Sequence, residues 1–310
     1  MNGWLGFPGI SSFHNPAGEV HHIGLRPRGK SDASIVSRTP TWIVTHGRTA
    51  NWETFIPLGN ALARPAGTAP TTPDAQVLYL DWMSAAATDG IVGGDSLRNG
   101  YWFPTLGEKV SAMLIGHDDF GQRFTGSDLR VAGHSWGTYV NYEIAKKMGS
   151  VAKIVALDPA KNATNYPQQD VNFGKVSSYS LGFYSSLFGN AAATATCADA
   201  FDVDTGLHAT SLNPVKTLLL KHSAAWQLFQ GILTDTDAIS SEFRGVLLNA
   251  QQPRWTRNPS RLDTAWSRKS VPAGTFFDWV PEAAGFEGEL NAIPSASVFV
   301  PSKLLYRSSP

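Results

Sequence analysis

The chain is short of several things, and each shortage removes a class of protein. It holds a single cysteine, Cys197, among 310 residues. One thiol forms no internal disulfide and supplies no cysteine-rich zinc site, so neither a disulfide scaffold nor a zinc module is expected. Free cysteine is usually buried, and Cys197 reads as a small core hydrophobe. Neither sign of charge is in excess: 25 Lys+Arg balance 25 Asp+Glu, for a formal net charge of +0. Binding nucleic acid or an anionic membrane by electrostatics needs a basic surplus, so no nucleic-acid partner and no such anchor are expected. No apolar run reaches the ~18 residues of a membrane span, so no transmembrane segment is expected. The N-terminus lacks the basic start and apolar run of a signal peptide. Even so, a charged fraction of only 16% and 10 tryptophans suit an extracellular protein.

The chain is well supplied with apolar residues. Hydrophobic residues make up 42%, which suits a large core and argues against disorder. The length is near that of two average domains but within reach of one α/β fold on a large sheet. There is no internal repeat. Residues 1–40, rich in Gly, Pro, Ser and His, read as loops with a short edge strand. Apolar strands are expected at 41–45, 76–80, 128–132 and 153–157. They alternate with helices at 52–63, 106–115 and 138–148, the last stopped by Gly149. Strands apolar throughout and alternating with helices predict a mostly parallel sheet covered on both faces. Further on, 176–184 and 216–220 read as strands and 222–233 as a helix. Residues 1–250 are expected to form one catalytic domain, and 251–310 a C-terminal extension packed on it.

The polar residues collect at one place in this pattern. His46, Asp81, Ser135 and Asp158 fall at or just beyond the carboxyl ends of expected strands, the edge where open α/β sheets bind ligands. Gly133-His134-Ser135-Trp136-Gly137 matches G-x-S-x-G between a strand and a helix. That spacing has a mechanical reason. A strand turning sharply into a helix puts the serine at the apex in a strained conformation. Neighbouring chain crowds the positions two before and two after, so both must be small. The exposed hydroxyl then lies at a helix N-terminus, where negative charge is favoured.

In such an architecture the order along the chain is serine, acid, histidine. Asp158 ends the next strand and is the candidate acid; the competing reading is an Asp-Pro turn. Of eight histidines, only His208 and His222 come after it. His222, after an apolar run and before an expected helix, is the better placed base. The oxyanion hole requires two backbone N–H donors. One is expected from Trp136 and one from the loop after the first strand, at Arg48, with Gly47 or Thr49 as alternatives. His46 reads equally as a structural hydrogen-bonder beneath that turn. The aromatic cluster at 181–188 reads either as a flap or pocket wall, with Phe183, Tyr184, Leu187 and Phe188 facing substrate, or as a core strand and its turn. The Gly-rich loop at 85–99 is a second candidate border of the cleft.

Together these residues resemble the α/β-hydrolase fold, and more narrowly the pancreatic-lipase-like family. The family's strand-then-His-Gly loop is similar to residues 42–47, its Val-Asp-Trp to Leu80-Asp81-Trp82, its Gly-His-Ser-x-Gly to residues 133–137, and its Leu-Asp-Pro-Ala to Leu157-Asp158-Pro159-Ala160. The resemblance implies a serine carboxylester hydrolase, a lipase, phospholipase A1 or general esterase, with Ser135, Asp158 and His222 as its triad. It implies an ester of a lipid or small molecule as substrate and a transient contact with a lipid interface. Three features depart from the family. The lid-framing cysteines are missing, Trp136 stands where Leu is common, and Arg48 stands where an aromatic residue is common. The stretch after the acid offers little beyond Asp170 to hold a cation, so no metal and no cofactor are expected. Two other readings use the same residues: a non-catalytic ligand-binding protein on this fold, and an acyltransferase or amidase.

Overall fold

The computed structural model describes residues 10–14, 20–29, 35, 39–86, 100–115, 124–163, 165–202, 214–234, 244, 276–278 and 305–307. Eight strands form one sheet: β1 (Ile10–His14), β2 (Val20–Pro27), β3 (Thr41–Thr45), β4 (Gln76–Asp81), β5 (Leu129–His134), β6 (Val151–Leu157), β7 (Ser177–Tyr184) and β8 (Asp199–Asp202). Their spatial order is β1-β2-β4-β3-β5-β6-β7-β8. Strands β3 to β8 are parallel, and β2 pairs antiparallel with both β1 and β4. This is an α/β-hydrolase fold. Two short strands near the C-terminus, β9 (Phe276–Asp278) and β10 (Leu305–Arg307), form a separate antiparallel ribbon. Little else of the expected 251–310 extension lies among the described residues.

Period-2 alternation within each buried strand divides the core in two. Ile43, Leu78, Leu80, Val131, Ile154 and Ala156 point to one face. There they pack with Leu106, Val110 and Met113 of helix α3 (Phe103–Ile115) and with Tyr139, Val140 and Ile144 of α4 (Gly137–Lys147). Trp42, Val44, Val77, Tyr79, Ala132, Val155, Leu157, Leu181 and Phe183 point to the other. They pack with Leu58 and Leu62 of α1 (Ile56–Ala63) and with Ala225, Phe229 and Ile232 of α6 (Pro214–Thr234). Because both faces are covered, the strands carry no polar face, which is why they read as continuous apolar runs. Cys197 is fully buried in this core.

Three expectations about elements need correction. Residues 216–220 are helical, belonging to the 21-residue α6, which begins before the expected start at 222. A short apolar run does not by itself distinguish strand from buried helix, and here length decides. Strand β8 adds an edge that the sequence pattern does not signal. The loop-rich N-terminal segment contributes two paired strands rather than one. Two further short helices, α2 (Met83–Ala86) and α5 (Ala191–Thr194), border the sheet. Among the described residues, no helix is long and apolar enough to cross a membrane.

Helix α6 packs on the sheet through Ala225, Phe229, Ile232 and Leu233, and Phe229 is fully buried against Phe183 with ring centroids 5.9 Å apart. We predict that Phe229→Ala lowers unfolding stability by about 3–5 kcal/mol, as for other buried Phe truncations. Chemical denaturation measures this; a loss under about 1 kcal/mol would show that α6 is not anchored there.

Candidate active site

Among the described residues, three other than glycine have positive φ: Thr49 (59°), Ser135 (57°) and Asp158 (47°). Each lies shortly beyond the carboxyl end of a parallel strand, β3, β5 or β6 respectively. Left-handed backbone at non-glycine residues costs energy and persists only where the surroundings enforce it, so three at one sheet edge mark that edge as special.

Close packing enforces the conformation at Ser135. A Cβ on Gly137 would lie 2.5 Å from the Thr45 carbonyl oxygen and 2.6 Å from that of His46. A Cβ on Gly133 would lie 2.6 Å from the Gly137 carbonyl oxygen, and one on Gly47 would lie 2.8 Å from the Ser135 Cβ. The turn between β5 and α4 is thus wedged against the end of β3, with glycine required on both sides of the contact. The Ser135 N–H donates to the Leu157 carbonyl at 3.0 Å, and its carbonyl accepts from the Thr138 hydroxyl at 2.7 Å. Its own hydroxyl makes no hydrogen bond among the described residues.

Asp158 is fully buried and well partnered. Oδ1 accepts from the Ser185 N–H at 2.9 Å. Oδ2 accepts from the Ser186 hydroxyl at 2.5 Å and faces His222 Nδ1 at 2.6 Å. With Nδ1–H turned to the carboxylate, the partners assign His222 the tautomer whose Nε2 is free to accept a proton. The Asp158 N–H donates to the Phe183 carbonyl at 2.7 Å, fixing the acid to the end of β7. Gly189 makes room: a Cβ there would lie 2.0 Å from Asp158 Oδ1.

Asp158 and His222 are thus in direct contact, and Ser135 is tied by its N–H to Leu157, the residue before Asp158, with no hydrogen bond between its hydroxyl and His222 among the described residues. His134, next to Ser135, lies with its ring centroid 4.5 Å from that of His222, and its Nε2 is 2.8 Å from the His222 carbonyl oxygen. A carbonyl only accepts, so His134 carries its proton on Nε2 and ties the elbow to α6. Burial, then the neighbouring His222, hold His134 well below the usual histidine range, so it is neutral. His222 sits within α6, in its third turn, and not in the loop that the sequence suggests. His208 and residues 87–99 of the Gly-rich loop lie outside the described residues.

Around the serine, the Arg48 and Trp136 backbone N–H groups make no hydrogen bond among the described residues, whereas the Thr49 N–H is engaged by the Ala86 carbonyl at 3.2 Å. Of the expected donors, Thr49 is thus removed. The Trp136 side chain is buried, its indole N–H donating to Asn162 Oδ1 at 2.7 Å. His46 is a structural group. It stacks on Trp82 with centroids 5.1 Å apart, and its Nδ1 lies 2.8 Å from the Gly47 carbonyl oxygen. Asp81 is bound by Arg26 at 2.8 Å, which accounts for its place at the sheet edge.

The four expected substrate-facing residues separate. Phe183 is a core side chain in β7, directed at Phe229, and its part in a flap is withdrawn. Tyr184 is half-buried at the strand end, and Leu187 is exposed. Phe188 meets the His222 ring edge-on at 6.1 Å. Ser185, Ser186 and Gly189 escape sequence reasoning; the only trace of them in the sequence is a Ser-Ser pair directly after an apolar strand.

No protein-family model and no curated protein matches the chain. Solved structures similar to it include an α/β-hydrolase fold protein from Burkholderia ambifaria (15% identity, 51% of this chain over 46% of that one, TM-score 0.29). Others are a putative α/β hydrolase of unknown function from Agrobacterium tumefaciens (16%, 58% over 72%, 0.30) and an S-formylglutathione hydrolase from Staphylococcus aureus (15%, 56% over 75%, 0.33). The chain spans about half the length of the first of these.

Burial pushes the His46 pKa from 6.5 down to about 4. The unfolded chain takes up this proton near pH 6.5, so the stability present above that pH is lost as pH falls toward 4. We predict a loss of about 3 kcal/mol from this residue over that window, and a flatter stability profile for His46→Gln. Denaturation curves at about pH 7, 5.5 and 4 measure it; parallel profiles for the two proteins would remove His46 as the cause.

Proposed function

We propose that the chain is a serine hydrolase of carboxylic esters. The observation that carries this reading is the strained Ser135, at a strand-to-helix turn, beside a buried Asp158–His222 pair bonded at 2.6 Å. Ser135 Oγ attacks the ester carbonyl carbon while His222 Nε2 takes its proton. The carbonyl oxygen becomes an oxyanion, received by the Arg48 and Trp136 N–H groups, which have no other partner among the described residues. Asp158 holds the imidazole in orientation and stabilises the imidazolium that forms. Collapse of the intermediate expels the alcohol, which takes the proton from Nε2, and leaves an acyl-Ser135. Water then repeats the sequence and releases the acid.

Catalytic hydrogen bonds commonly tighten only when substrate binds, so an unbonded Ser135 hydroxyl is compatible with this role. The elbow and acid motifs favour the lipase-like branch, and a lipid ester is the substrate class they suggest. The exposed Leu187 and the half-buried Phe188, beside His222, provide apolar surface for an acyl chain.

A p-nitrophenyl ester series from acetate to palmitate, run on the protein and on Ser135→Ala, tests the reading. We predict turnover by the protein and a loss of at least about a thousandfold in kcat for the variant, with folding preserved. Equal rates in the two proteins would rule out an acyl-serine route. The same region yields a companion expectation: Gly189→Ala displaces the Asp158 carboxylate, lowers kcat at least about tenfold and costs about 1–3 kcal/mol of stability. An unchanged kcat would show that the acid is not held through this contact.

A further inference from the structure

Arg48 stands apart from Arg26, Arg28 and Arg64, which are paired. Arg26 is paired with Asp81, and Arg28 and Arg64 share Asp74. The Arg48 guanidinium has no carboxylate and no hydrogen-bond acceptor among the described residues, and its Nε is buried without a partner. Arg130 also has an orphaned Nε, but it lies at the start of β5, the opposite edge of the sheet from Ser135.

What holds Arg48 is an aromatic face. Its Cζ lies 5.3 Å from the Trp136 ring centroid, and Trp136 is only 1% exposed. The indole is fixed by Asn162 and by edge-on contacts with Trp102 and Phe103. The residues on either side of the charge belong to the reacting edge. Gly47 is pressed against the Ser135 Cβ, and Trp136 comes directly after Ser135 in the chain. A guanidinium carries five donors in a planar fork suited to carboxylate and phosphate. Here that fork is half-buried, anchored on one face and unpaired, on a residue whose chain neighbour Gly47 packs on Ser135.

We propose that Arg48 is a specificity-determining residue, and that the preferred ester bears an anionic group, a carboxylate or phosphate, a few atoms from the scissile carbonyl. This rests on the ester-hydrolase reading above and narrows its substrate class. The anion engages the donors that have no protein partner, and its charge complements the guanidinium held on Trp136.

The anion belongs either to the acyl or to the alcohol part of the ester, and the experiment separates the two. The probes are phenyl hemisuccinate, with the charge on the acyl side, 4-carboxyphenyl butyrate, with the charge on the alcohol side, and neutral phenyl butyrate. For each anionic ester, kcat/KM is divided by that for the neutral one, in the protein and in Arg48→Gln. We expect one ratio to fall about tenfold in the variant. The same ratio should shrink in the protein as NaCl is raised to about 0.5 M, because salt still screens a half-buried pairing in part. Ratios unchanged by the substitution overturn the proposal. If no ester is turned over, the hydrolase reading has failed, and binding decides the anion site separately. A rise in Tm with phenyl hemisuccinate or 4-carboxyphenyl butyrate in the protein, lost in Arg48→Gln, supports it, and equal shifts or none overturn it.

Discussion

The carboxylate of Asp158 is the interaction on which the rest of the site depends. It is fully buried, and a buried carboxylate is tolerated only where donors surround it. Its three donors come from two separate stretches of chain: Ser185 and Ser186 just after β7, and His222 from α6. Satisfying one side chain therefore fixes the end of β6, the turn after β7 and the register of a long helix against the sheet. The demand extends to residues with no polar role. Gly189 must lack a side chain because the carboxylate occupies the space where one would lie. Phe229 and Phe183 must pack well because they keep α6 within reach of a single 2.6 Å bond.

A second constraint, steric rather than electrostatic, sets the serine. The strand-to-helix turn is pressed against the end of β3 so closely that glycine is needed at 133 and 137 within the turn and at 47 opposite. The Thr45 hydroxyl bonds Asn141 Oδ1 at 2.6 Å across the same junction, joining β3 to α4. The strain at Ser135 is maintained by this packing, and the same contact brings the Arg48 backbone alongside. His134 then connects the two constraints, since its ring lies on His222 and its Nε2–H reaches the His222 carbonyl.

Much of this is legible in the sequence, for reasons that also mark the limits of such reading. Strands β3 to β6 are buried on both faces, and their continuous apolar runs, alternating with helical stretches and bounded by polar residues, read as strands of a parallel sheet. The glycines of the elbow are readable because their spacing answers a local steric need. The stretch 216–220 misleads because helix and strand both accept a short apolar run, and only the full length of the element separates them. The chain order leaves His208 and His222, and the local pattern that favours His222 gives no warning that it lies inside a helix. Phe183 invites assignment to a flap because an aromatic residue near a site looks the same in sequence whether it faces ligand or core. Ser185, Ser186 and Gly189 act through contacts with a residue about 30 positions earlier, and no local pattern announces such contacts.

The charge arrangement is a consequence of these placements. Beneath the turn lie two histidines, His46 and His134, that burial keeps neutral, so no cation competes there with the imidazole of His222. The Asp158 carboxylate holds the His222 imidazole, and the unpaired guanidinium of Arg48 lies over Trp136. In the proposed reaction, positive charge develops on His222, beside the carboxylate, and negative charge on the carbonyl oxygen, between N–H groups on the Arg48 side. Each developing charge thus meets its complement, while the neutral floor adds no field of its own. In water such complementarity contributes little. With Ser135, Asp158 and His222 all buried, the low local dielectric magnifies it in the proposed reaction, and fixed groups need little reorganisation as charge develops. The same magnification makes a permanent negative charge on the substrate recognisable to Arg48, so transition-state stabilisation and substrate choice draw on one feature of the fold.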